Sequence, residues 1–140
     1  MIRTAHHVGI ALKRLDEGLA IYRALGFEPE SVEEIPSEGV RAAFLPAGPV
    51  KIELLESIRP DGVIARFIER HGEGVHHIAF ATDDIHATIR GARAQGFELV
   101  DENPRRGAHG RLVAFVHPRS AHGVLLEFVQ EAPSQASQRD

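Results

Sequence analysis

The chain has 140 residues, 43% hydrophobic and 26% charged, enough apolar material for a folded domain and inconsistent with a disordered one. Its 16 basic and 20 acidic residues give a formal charge of −4, which argues against a nucleic-acid partner. Cysteine is absent, ruling out disulfides, thiolate metal sites and cysteine nucleophiles, and no apolar run approaches the roughly 20 residues of a membrane span. No apolar h-region follows Met1-Ile2-Arg3-Thr4, so a cytoplasmic protein is expected.

In chain order, a Val- and Ile-rich strand is predicted over about 5–12. Asp16 reads as the N-cap of a helix whose apolar positions Leu15, Leu19, Tyr22 and Leu25 recur at helical spacing, and Gly26 ends it. Strands follow near 27–33, 40–46 and 49–56. Pro60-Asp61 then leads into an amphipathic segment, Val63 to His71, with Ile64, Phe67 and Ile68 on one side and Gly72 and Gly74 closing it. A second strand–helix unit follows: Asp83 or Asp84 caps, Ile85, Ile89 and Ala92 form the stripe, and Gly96 terminates. Strands are predicted near 97–101, 111–117 and 123–130, and the polar tail at 131–140 is expected to fray.

These elements repeat. At a shift of 70, His6-His7-Val8-Gly9-Ile10-Ala11 overlays His76-His77-Ile78-Ala79-Phe80-Ala81, and Arg23-Ala24-Leu25-Gly26-Phe27-Glu28 overlays Arg93-Ala94-Gln95-Gly96-Phe97-Glu98. By Val50-Lys51-Ile52-Glu53-Leu54 against Val124-Leu125-Leu126-Glu127-Phe128 the shift has grown to 74, through extra loop residues in the second half. The predicted fold is α+β: one domain of two tandem βαβββ modules, about 5–58 and 75–130, joined by a helix at about 61–72. Neither module's sheet is stable alone, so the two are expected to form a curved mixed sheet around a shared cleft.

Strand alternation assigns the faces. Val8 and Ile10 pack on the first module's helix, leaving His7, Gly9 and Ala11 on the open side; Ile78 and Phe80 likewise leave His77, Ala79 and Ala81. On the last strands Val50, Ile52 and Leu54 turn inward, against Lys51, Glu53 and Leu55, while Val124, Leu126 and Phe128 oppose Leu125, Glu127 and Val129. His7, Glu53, His77 and Glu127 thus stand at repeat-equivalent positions on the open faces. Two imidazoles and two carboxylates suit one divalent first-row ion per cleft: Co, Ni, Mn, Zn or Fe. His6 and His76 point the other way and read as structural.

At these residues the chain resembles the vicinal oxygen chelate (glyoxalase) superfamily and, within it, the methylmalonyl-CoA epimerases. The passages that carry the likeness are HHVGIAL at 6–12, KIELLES at 51–57, IARFIERHGEGVHHIAFATDDI at 64–85 and ENPRRGAHGRLVAFVHPRSAHGVLLEFVQ at 102–130. The resemblance implies the glyoxalase/bleomycin-resistance/dioxygenase fold, an acyl-CoA thioester substrate, a preference for cobalt, a homodimer and a place in propionate metabolism. It places the metal ligands on His7, Glu53, His77 and Glu127. The implied reaction interconverts (R)- and (S)-methylmalonyl-CoA by moving the C2 proton through a metal-stabilised enolate. Glu127 is the implied base, and Glu53 is either a ligand or the opposing acid. Some epimerases carry a second carboxylate where this chain has Ala42.

Among the remaining polar residues, Lys51 shares the open face with Glu53 and is a candidate for the substrate carboxylate. Arg105, Arg106, Arg111, Arg119 and Ser120, around a Gly-rich loop, are candidates for the CoA end, and at most one of His109, His117 and His122 is expected to touch substrate. The competing readings are a glyoxalase I-type lactoylglutathione lyase, an iron-dependent ring-cleaving dioxygenase, and a metal-free protein of the same fold that sequesters a drug.

Overall fold

The structure, a computed structural model, describes residues 2–133; within the tail expected to fray, residues 134–140 lie outside the described residues. The first βαβββ module comprises β1 (Ile2–Ala11), α1 (Leu15–Ala24), β2 (Ser31–Ile35), β3 (Val40–Ala47) and β4 (Val50–Ser57). Helix α2 (Val63–His71) follows. The second module comprises β5 (Gly74–Thr82), α3 (Ile85–Ala94), β6 (Arg105–Arg106), β7 (Leu112–Val116) and β8 (Leu126–Gln130). The fold class is therefore the one expected, α+β with tandem βαβββ modules.

The chain divides into two compact units, His6–Ala79 and Phe80 onward with the residues before His6. In the unit His6–Ala79 the strand order is β2-β3-β4-β1-β5, with β1 parallel to β4 and β3 antiparallel to both β2 and β4. Helix α1 packs Leu15 and Leu19 on Ala43, Leu45 and Leu54, all of them buried. In the other unit the order is β1-β5-β8-β7-β6, with β7 antiparallel to β6 and β8. There α3 packs Ile85 and Ile89 on Ala114, Val116 and Phe128. The two cores match residue for residue across the repeat. Burying a Leu, Ile or Phe side chain stabilises by roughly 1.5–3 kcal/mol, so each unit holds its own helix on its own strands.

Helix α1 starts before the expected cap. Its N-cap is Arg14, not Asp16, because the first free helical amide, Leu15 N–H, donates to Glu56 Oε1 from the end of β4 at 2.9 Å. Asp16 lies in the first turn and accepts from Glu17 N–H. Helix α3 has a local cap as well, Asp84 accepting from Ala87 N–H at 3.0 Å, and it repeats the distant one: Ile85 N–H donates to Gln130 Oε1 at 2.8 Å. Both helices end at a glycine with positive φ, Gly26 at 100° and Gly96 at 92°.

Strand boundaries differ from expectation mainly in the second module. No strand forms at 97–101, where Leu99 makes a single bridge to Val116. The Phe115 amide is taken by the Asp101 carboxylate at 3.1 Å and the Val100 amide bonds Phe115 O, so ladder groups are spent on local contacts, and Pro104 has no amide to give. Pairing resumes as the two-residue β6. The last strand begins at Leu126 rather than 123, because His122 and Gly123 both adopt positive φ and end the preceding turn.

Candidate metal centre

Three of the four predicted ligand residues lie within the unit His6–Ala79, where His7 meets both His77 and Glu53. His7 on β1 is 2% exposed, His77 on β5 4% and Glu53 on β4 7%. His7 Nε2 lies 3.0 Å from His77 Nε2 and 3.7 Å from Glu53 Oε2. Strand alternation puts them there, and Gly9 makes the space. A Cβ built at Gly9 would collide with the His77 ring, with Nδ1 at 2.5 Å and Nε2 at 2.7 Å, so β1 can pass under that imidazole only as glycine.

A buried carboxylate beside two buried imidazoles is costly unless charge and hydrogen bonds are matched. Two ligands of one ion, each about 2.0–2.2 Å from it, can stand at most about 4 Å apart, and both measured separations satisfy that. Nitrogen and carboxylate donors without sulfur suit borderline and hard divalent cations. The residues present therefore fit a divalent metal ion.

Glu127, the fourth predicted ligand, lies in the other unit on β8, cross-strand from Phe115 and 5% exposed. Among the described residues it is buried along with the polar side chains of His7, Glu53, His77, Thr82 and Arg111.

The profile of the Glyoxalase/Bleomycin resistance protein/Dioxygenase superfamily matches residues 6–115. The ethylmalonyl-CoA/methylmalonyl-CoA epimerase of Cereibacter sphaeroides is 35% identical over 93% of this chain and 99% of its own length. The human mitochondrial methylmalonyl-CoA epimerase is 34% identical over 89% of this chain and 72% of its own length. A solved structure of a Streptomyces coelicolor methylmalonyl-CoA epimerase variant, in complex with 2-nitronate-propionyl-CoA, superposes with a TM-score of 0.90 at 38% identity, covering 95% of this chain and all of that one. The chain belongs to this superfamily, in its methylmalonyl-CoA epimerase family.

Several of the other candidate residues are engaged in local contacts. Lys51 Nζ pairs with Glu30 at 2.5 Å, both side chains about half exposed. Arg105 pairs with Asp101 at 2.9 Å and lies over the Phe115 ring. Arg119 donates to Glu98 Oε2 at 2.8 Å, while the Ser120 hydroxyl accepts from the Glu98 amide at 2.8 Å. The Arg119 hydrogen bond holds the Glu98 carboxyl below its ordinary pKa. Arg111 differs from its neighbours: it is 5% exposed and its Nε donates to Ala108 O, so one of the four arginines grouped as a CoA-facing set turns inward. Ala42 is fully buried on β3, between Leu55 on β4 and Glu33 on β2.

The sequence reading missed His6 and His76. Pleat alternation sends them away from His7 and His77, yet His6 Nδ1 lies 2.7 Å from His7 Nδ1 and His76 Nδ1 2.9 Å from His77 Nδ1. Nδ1 is only two bonds from Cβ, so rings leaving a strand on opposite faces can still turn those nitrogens together. The signal was the doubled His-His dipeptide itself.

Proposed function

We propose that the protein interconverts the (R) and (S) forms of methylmalonyl-CoA. The observation that carries this is the buried His7–His77–Glu53 donor group in a chain that matches acyl-CoA epimerases over nearly its whole length. In this reading His7, His77 and Glu127 hold one divalent ion, with Glu53 as a further ligand, and cobalt is preferred over Ni, Mn, Zn and Fe. Repeat equivalence, burial and donor chemistry support that set. Bound there, the ion supplies Lewis acidity toward the oxygen atoms of the substrate.

The chain's own residues handle the proton. The C2–H bond lies between a thioester carbonyl and a carboxylate, so the proton leaves as C2 passes its electron pair into those groups. Glu127 takes it on one face, and a proton is returned to C2 from the opposite face, which inverts the centre. Glu53, the repeat mate of Glu127, is the candidate to return it. Lys51 is proposed to meet the substrate carboxylate by exchanging Glu30 for it, and Arg105, Arg119 and Ser120 to meet the CoA end. A homodimer in the cytoplasm completes the proposal.

The test follows deuterium entry at C2 of methylmalonyl-CoA in D₂O. Exchange that stops on adding a chelator and returns with Co²⁺ is expected. Exchange indifferent to the chelator, or none together with turnover of the glutathione hemithioacetal, overturns the reading in favour of a metal-free activity or a lactoylglutathione lyase. Glu127→Gln should lower turnover about 10²–10⁴-fold while metal stays bound.

A further inference from the structure

Each histidine of the donor group is preceded in the sequence by another whose ring meets it. The contacts His6 Nδ1 to His7 Nδ1 at 2.7 Å, His7 Nε2 to His77 Nε2 at 3.0 Å and His77 Nδ1 to His76 Nδ1 at 2.9 Å make a run of four imidazoles. Proton counting restricts what this run can be. A neutral imidazole has one N–H and one lone pair. A histidine that ligates through Nε2 carries its proton on Nδ1, and the partner of that N–H fixes the ring's tautomer and angle.

His7 and His77 turn their Nε2 atoms toward each other, and that of His7 also lies 3.7 Å from Glu53 Oε2, so as ligands both carry hydrogen on Nδ1. Those N–H groups face Nδ1 of His6 and His76. A ring nitrogen accepts only when bare, so His6 and His76 keep their protons on Nε2. The opposite arrangement, with His6 and His76 donating, would put N–H on both facing Nε2 atoms at 3.0 Å and leave neither imidazole able to ligate.

We propose that His6 and His76 are positioning residues, each accepting the Nδ1–H of the metal ligand that follows it and thereby locking that ligand's tautomer and ring angle. This rests on the reading of His7 and His77 as metal ligands. The usual acceptor in this role is a carboxylate, a backbone carbonyl or water; here the neighbouring residue supplies an imidazole, at two positions 70 residues apart. His76 is itself held by helix α2: the Phe67 ring meets it edge-on at 4.8 Å between centroids, and Phe67 also packs on His71 at 4.9 Å.

The test measures Co²⁺ affinity of the full chain by calorimetry. His6→Phe and His76→Phe keep ring bulk and remove the acceptor; His6→Asn and His76→Asn place an acceptor oxygen about where Nδ1 stood. The Phe variants should bind Co²⁺ some 10–100-fold more weakly, and the Asn variants should recover most of that loss. Phe variants that bind like the wild type, or Asn variants that lose as much as Phe, overturn the proposal. Nitrogen-detected NMR of the Zn²⁺-loaded wild type needs no variant to fold: it should show N–H on Nδ1 of His7 and His77 and on Nε2 of His6 and His76, and the reverse pattern is fatal. A wild-type protein that binds no divalent ion defeats the metal reading itself, whereas normal wild-type binding with indifferent Phe variants defeats only the positioning role.

Discussion

At position 9 a single methyl group decides whether His77 keeps its place. The repeat mate of Gly9 is Ala79, which is fully buried and tolerated, so the modules are not equivalent here: His77 leans over β1 where β1 has no side chain. Gly9→Ala should weaken Co²⁺ binding by at least about tenfold and lower stability, since overpacking typically costs 1–3 kcal/mol; paired calorimetric titration and thermal melts check both. A second residue-scale expectation concerns Glu98. Its carboxyl is held low by the Arg119 hydrogen bond, so the contact stabilises the fold above the unfolded carboxyl pKa and is lost as pH falls through the lowered one. Arg119→Ala should move the Glu98 titration, followed by NMR, up toward the ordinary glutamate value. At this scale the sequence revealed His7, Glu53 and His77, because a period of two and a repeat of 70 are both visible in letters. It hid His6 and His76, because alternation predicts where a Cβ points but not where a ring nitrogen ends up.

The helices show how elements can be legible in extent and opaque in cause. Apolar spacing located α1, and the same reasoning located α2 to the residue, Val63–His71. The start of α1 was misassigned because its capping oxygen comes from Glu56, 41 residues downstream, which no local pattern announces. The second module uses Gln130 in the same way for Ile85. Removing a capping acceptor typically costs about 1 kcal/mol. Glu56→Ala is therefore expected to destabilise by about that amount or more, since Glu56 also pairs with Arg41 at 3.7 Å, while Glu56→Gln should retain most of the cap. Gln130→Ala should cost less than Glu56→Ala, because α3 keeps Asp84 as a second cap whereas Arg14 makes no side-chain cap. Urea denaturation of the three variants ranks them. The strand predicted at 97–101 failed for a related reason: Asp101 replaces a backbone acceptor with its side chain, and a turn-forming residue that bonds a distant amide looks the same in sequence as one that ends a strand.

For the whole molecule, duplication makes the fold redundant and the site not. Each unit buries its own helix against its own strands, Leu15 and Leu19 on one set and Ile85 and Ile89 on the other, so neither core needs an ion. The proposed metal site is different in kind, because the buried donors His7, Glu53 and His77 are costly to bury without a matching charge. An ion that binds only the folded state contributes RT ln(1 + [L]/Kd), about 2.7 kcal/mol at a hundredfold excess over Kd. For a chain of this size that corresponds to a melting-temperature rise on the order of 10 °C. Calorimetric scans should therefore show Co²⁺ raising the transition by about that much and chelator reversing it. His7→Ala and His77→Ala should each cut the rise, while Leu54→Ala should lower the baseline stability by about 2–5 kcal/mol and leave the metal-dependent increment intact. A melting temperature that ignores Co²⁺, or an increment that survives loss of both histidines, would place the ion's binding site elsewhere and leave the four repeat-equivalent side chains without their proposed common purpose.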